Sequence, residues 1–169
     1  METFRHHADN RHTRMGICVL WQRSRAGILP EYRGLSIYLK RRSRMITKNF
    51  NRSEFRCKCG CGMDNVSIPF VERLQVARDI YGNPYYLTSG CRCEKHNRNV
   101  GGVADSDHIA TDEKPCQAAD IAFRNGKELF GIITALIQAG FTRIGINFNK
   151  NFVHVDSNPT KYQPTVFKY

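Results

Sequence analysis

The chain has 169 residues, 26 Lys+Arg against 15 Asp+Glu and 41% apolar residues, with seven Cys and six His. That length holds one ordinary domain with or without a short extra segment, and the apolar fraction is enough for a real core, which excludes wholesale disorder. No stretch approaches the ~18 consecutive apolar residues of a membrane span. The longest early apolar run, Met15–Trp21, lies between Arg14 and Arg23 and is not followed by an A-x-A-like cleavage site, so no signal peptide is recognised. A soluble protein made in a cytoplasm is the expectation.

Residues 1–44 carry ten Lys+Arg and three Asp+Glu, or +7 of the formal +11, and include the run Lys40-Arg41-Arg42-Ser43-Arg44. They show neither a helical nor an alternating pattern; Leu35–Leu39 is at most a short strand or one helical turn. We read 1–44 as a basic, poorly ordered N-terminal extension. A polyanionic matrix such as a cell wall suits the charge as well as nucleic acid does. From Met45 a polar entry leads to the knot Cys57-Lys58-Cys59-Gly60-Cys61-Gly62, with Asn51 or Ser53 placed to cap a turn around Glu54-Phe55. Ile68, Val71, Leu74, Val76, Ala77 and Ile80, after Pro69, predict a helix that Gly82-Asn83-Pro84 ends. Tyr85–Thr88 is a short β-prone run. Residues 91–119 read as one long irregular stretch, and loops of that length are usually functional.

Ala118–Phe123 reads as a strand entering the core. A second helix, opened by Gly126-Lys127-Glu128, runs from Leu129 to Ala139 and closes at Gly140. Arg143–Asn147 and Asn151–Asp156 are alternating strands with a turn at Asn149-Lys150. The predicted fold class is α+β, a small antiparallel sheet with flanking helices.

Three polar residues stand in or beside that core: His108, Asp120 and His154. An unpaired carboxylate at Asp120, between Ala118-Ala119 and Ile121-Ala122-Phe123, would be expensive. His154 points opposite to Val153 and Val155, with Asp156 on its own face. Two imidazoles and a carboxylate suffice for a catalytic zinc with one open position. Each residue also has an ordinary reading: His154 as a packed strand histidine, His108 as a surface residue, Asp120 as a cap or the partner of Arg92. Spacing does not decide between them.

Ser89-Gly90-Cys91-Arg92-Cys93-Glu94-Lys95-His96-Asn97, Val100-Gly101-Gly102, Ser106-Asp107-His108, Ala118-Ala119-Asp120 and His154-Val155-Asp156 occur in that order. With Asn49-Phe50 to Gly62, this series resembles the zinc D-Ala-D-Ala carboxypeptidases (peptidase M15), above all their small phage and prophage forms. The resemblance spans about residues 45–169 and makes that stretch the catalytic domain. It implies a DD-peptidase-like (Hedgehog-like) fold around a single Zn²⁺ held by His108, Asp120 and His154, and endolysin-like cleavage of peptidoglycan stem peptides. By the same resemblance Arg92 contacts the substrate, Ser106 orients the loop or the bound peptide, and Asp156 is the general base. Related families carry that base three residues before the last His, where this chain has Asn151, which cannot act as one. Gly101 and Gly102 permit a tight turn beside the site.

Eleven residues separate His108 from Asp120, against six in the family pattern, leaving Asp112 and Glu113 as rival ligands and the cleft open to reshaping. A monomer is expected, with no specific nucleic-acid partner, acting on the wall after release from the host bacterial cytoplasm. The alternatives are an L-Ala-D-Glu or cross-bridge endopeptidase, or a non-catalytic wall-binding or assembly protein of the same fold. The cysteines lack the C-x-x-C spacing of structural zinc. We read them as reduced packing thiols, with a bridge from the Cys57–Cys61 knot to Cys91 or Cys93, or a second metal, as alternatives.

Overall fold

The structure is a computed structural model that describes residues 45–169; the basic extension and the Leu35–Leu39 segment lie outside the described residues. Asn51 caps a 3-10 turn, Arg52–Phe55, its side chain accepting from the Ser53 backbone while Glu54 reaches back to the Asn51 N–H. Helix α1 spans Ile68–Tyr81 and stops at Gly82, whose φ of 74° is open to glycine at no steric cost. Its buried face is Phe70, Val71, Leu74, Gln75 and Ala77. Ile68, Val76 and Ile80, counted as apolar-face residues from spacing, are exposed. Gln75 is buried because its amide bridges Thr47, Asn49 and Asp79.

Strand β1 covers Leu87–Ser89, and a six-residue helix, α2, follows at Glu94–Asn99. This helix corrects the reading of 91–119 as wholly irregular. It contains no apolar residue, so periodicity cannot reveal it; the Cys93 sulfur caps it by accepting from the His96 N–H at 3.4 Å. Strand β2 is Ala118–Ala122, helix α3 Gly126–Gln138, β3 Arg143–Asn147, β4 Phe152–Asp156 and β5 Thr165–Lys168.

The strands form one five-stranded sheet in the order β1-β2-β4-β3-β5. It is mixed, which corrects the antiparallel expectation: β5 runs parallel to β3, pairing Ile144 with Val166 and Gly145 with Phe167. With only two apolar residues in four, β5 carries little pattern of its own and is specified by the edge it joins.

Alternation gives the sheet two unlike faces. Ala119, Ile121, Ile144, Val153 and Val155 pack with Phe70, Leu74, Ile132 and Leu136 from the helices in one apolar core. Asp120, His154 and Asp156 are equally buried on the opposite face. That second face holds the site.

Candidate metal centre

Register brings two of the three predicted ligands together directly: Asp120 on β2 is the Cα partner of His154 on β4. The third, His108, comes from the loop after α2 and is fully buried. Its backbone is clamped to the residue-92 segment, the Arg92 N–H donating to the His108 carbonyl and the Ala110 N–H to the Arg92 carbonyl. Ser106 accepts from the His108 N–H and also lines the cleft.

Three atoms converge. His108 Nε2 is 3.1 Å from Asp120 Oδ1 and 3.1 Å from His154 Nδ1, and the last pair is 2.9 Å apart. The far nitrogens reveal what faces inward. His108 Nδ1 is 2.7 Å from the Gly90 carbonyl, which only accepts, so that nitrogen carries the proton. His154 Nε2 likewise faces the Asp156 carboxylate at 3.1 Å. In the neutral rings both inward nitrogens therefore present lone pairs, and Asp120 Oδ1 adds a third acceptor. Such a constellation offers three donor atoms to one cation. Ligand bonds of ~2.0–2.1 Å in a tetrahedron put donor atoms about 3.3–3.4 Å apart, within a few tenths of an ångström of these separations. The residues present fit a zinc ion.

Asp120 Oδ2 accepts from Arg92 Nη2 at 2.9 Å, and Arg92 Nε donates to Ser89 Oγ at 3.0 Å. Burial alone would raise the Asp120 pKa, but the His108 and His154 imidazoles set against Oδ1 outweigh it and hold the carboxyl well below its usual range. Burial pushes the His108 pKa down. It would do the same to His154, yet the hydrogen bonds to Asp120 and Asp156 prevail and raise it. In the metal-free protein a proton therefore occupies the centre beside His154 to above the ordinary imidazole pKa, and a metal must displace it. Zinc affinity is expected to weaken as pH falls, by up to about tenfold per unit on the acid side of that pKa. Chelator competition across the pH range measures it; a flat profile would contradict the proton assignment.

Gly90 supports His108 in a way no other residue can. A Cβ there would lie 2.6 Å from Phe55 Cα and 2.8 Å from the Phe55 carbonyl oxygen, which already accepts from the Cys91 N–H. Gly90→Ala is expected to cost about 1–3 kcal/mol and to move the carbonyl that orients His108. A lowered urea midpoint together with weaker zinc binding is the expected pair of results; an unchanged midpoint would mean that the backbone there is free to shift.

The structure places Asp156 beside the nitrogen of His154 that faces away from the converging atoms. Its side chain is fully buried behind the His154 ring, bonded to the outward Nε2 and to Arg143 Nε at 2.8 Å, and it does not line the cleft. From there it is placed to orient His154, whose ring lies between the Asp156 carboxylate and the three converging atoms. Arg143 is its cross-strand partner in register, a relation visible only once strand order is known.

The insertion between His108 and Asp120 folds away from the site. Thr111–Lys114 form a turn tied to the Asn65 side chain, Asp112 and Glu113 are exposed, and none of residues 109–117 lines the cleft. The rival ligands are thus excluded. Asp107, bonded to Asn158 and ion-paired with Lys161, fastens the His108 loop to the segment after β4. The Tyr169 ring stacks on His154 at 4.4 Å between centroids, and Phe167 meets the same ring edge-on. Gly145, opposite His154, leaves the space these two rings fill. Neither aromatic carries a sequence signal.

The cleft over the centre measures about 790 Å³. Lys58, Arg92, Arg143, Lys150, Lys161 and Lys168 line it, against the carboxylates of Asp107 and Asp120. No helix among the described residues is long and apolar enough to cross a membrane. A sequence model of the family described as Peptidase M15 matches residues 48–156. No curated protein matches the chain.

Proposed function

Because the chain belongs to the peptidase M15 family, we propose that His108, Asp120 and His154 hold one zinc ion and that the protein hydrolyses peptidoglycan stem peptides, releasing a terminal D-Ala. M15 peptidases are hydrolytic metallopeptidases, generally zinc-dependent. The observation that carries the reading is the convergence of three buried acceptors with no proton donor among the neutral groups. When bound, zinc polarises the scissile carbonyl and lowers the pKa of a water towards ~7.

The chain's own residues supply orientation and charge. Arg92 holds Oδ2 of Asp120, so the carboxylate presents Oδ1 to the centre. Of its five N–H donors, those not given to Asp120 and Ser89 are available in the cleft to a substrate carboxylate or carbonyl, a use suited to a planar fork. The basic lining suits a peptide with a free C-terminal carboxylate and acidic side chains. Asp156 orients His154, and Asp107 and His96 line the cleft outside the ligand set. Action on the wall after release from a host cell belongs to the same proposal.

Mass spectrometry of muropeptides after incubation with the zinc-loaded protein, beside a His154→Ala control, tests it. Loss of one terminal alanine that the control abolishes is the expected result. Release of longer stem fragments would make the protein an endopeptidase at the same centre. Unchanged masses with metal bound would overturn the peptidase reading on this substrate in favour of a binding or assembly protein.

A further inference from the structure

We infer that Cys57, Cys59, Cys61 and Cys93 form a second metal site that holds one structural zinc ion. One Sγ from each lies within 4.8 Å of all the others. Cys57 Sγ is 3.4 Å from Cys59 Sγ, which is 3.6 Å from Cys93 Sγ. Zinc–sulfur bonds of ~2.3 Å in a tetrahedron separate sulfurs by about 3.8 Å. The observed spacings fall close to that value and far from the ~2.05 Å of a disulfide, and all four thiols are free.

Packing does not explain the group. Cys59 and Cys61 are exposed, whereas Cys91 and Cys116 are the thiols lodged in the apolar core. Consecutive odd residues of a straight strand place their side chains nearly 7 Å apart, so the knot must curl to gather its sulfurs. Gly60 and Gly62, at φ of 83° and 86°, are the positions where it does so. Two backbone donors already point at the sulfurs: the Cys93 N–H to Cys57 Sγ and the His96 N–H to Cys93 Sγ, each at 3.4 Å. Sulfurs this close enclose a single ion; a multi-iron cluster spreads its thiolates wider. Four thiolates in a tetrahedron are zinc's preferred closed, structural set.

The site has a mechanical consequence. It closes the chain from residue 57 to residue 93, one residue beyond Arg92, whose guanidinium holds Asp120. The cysteine centre thus anchors the strap that carries Arg92, while sharing no ligand with the His-Asp-His centre.

Metal analysis of the full-length protein, purified under reducing conditions, tests the inference without reference to any activity. Two zinc ions per chain are expected in the wild type and one in His154→Ala. Zinc-edge X-ray absorption of His154→Ala should then report four sulfur ligands at about 2.3 Å. Cys59→Ser/Cys61→Ser should retain only the nitrogen- and oxygen-bound ion; the absorption measurement, which leaves every cysteine in place, decides the matter if that variant fails to fold. A His154→Ala protein without zinc, a sulfur-free zinc shell, or a disulfide within the four would each overturn it.

Discussion

Asp120→Ala is expected to empty the His-Asp-His centre and to destabilise the protein by about 3–5 kcal/mol. The two effects come from different oxygens of one side chain. Oδ1 completes the convergence with His108 Nε2 and His154 Nδ1, and without it two imidazoles alone face the cavity. Oδ2 is the partner of Arg92, whose side chain is only 11% exposed. Alanine leaves that guanidinium buried and unpaired, and an orphaned charge costs more than its lost bond returns. For a domain of this size the penalty corresponds to a fall in Tm on the order of 10 °C or more. Zinc content and thermal unfolding of one preparation read both effects. If zinc is lost while Tm holds, the Arg92 pair contributes nothing to folding; if zinc stays bound through the cysteine centre alone, absorption spectroscopy will show sulfur ligands only.

Asp156→Asn separates two roles that the sequence leaves confounded. As the partner of His154 Nε2, Asp156 fixes ring orientation and raises its basicity. Loss of such a partner typically lowers metal affinity or activity 10–100-fold. Turnover measured at saturating zinc should then stay close to wild type, because the deficit lies in affinity. A general base behaves otherwise: its removal costs about 10²–10⁴ in rate whatever the zinc concentration. Zinc titration by chelator competition, followed by muropeptide turnover at saturation, distinguishes them. A loss of the larger size at saturation would return Asp156 to the proton-transfer step and require His154 to move aside. The side chain's complete burial and its bond to Arg143 argue for the orienting role.

Much of the site is legible in the chain's local pattern. Asp120 inside an apolar strand and His154 between two valines are local anomalies, since burying either without a partner is costly. Alternation also puts Asp156 on the face of His154, where it lies. What the pattern does not say is which side of the imidazole the carboxylate occupies, and therefore whether it takes a proton or holds a ring. The same face-sharing fits both.

The remaining features depend on contacts between distant segments. Helix α2 has no apolar face and is stabilised by a cysteine cap and by its neighbours, so periodicity passes over it. Strand β5 has four residues and forms because β3 offers it an open edge, which also makes the sheet mixed. The insertion before Asp120 reads as a threat to the cleft until Asn65, far away in sequence, is seen to fasten it elsewhere. Cys57, Cys59 and Cys61 lack metal spacing because the fourth sulfur arrives 32 residues after Cys61. Local sequence determined the elements, the odd polar residues and the chemistry those residue types permit, because propensity and alternation act over a few neighbours. Tertiary structure alone decided strand order, the partner of each buried charge and the gathering of the four thiols, because each depends on which distant segments come into contact.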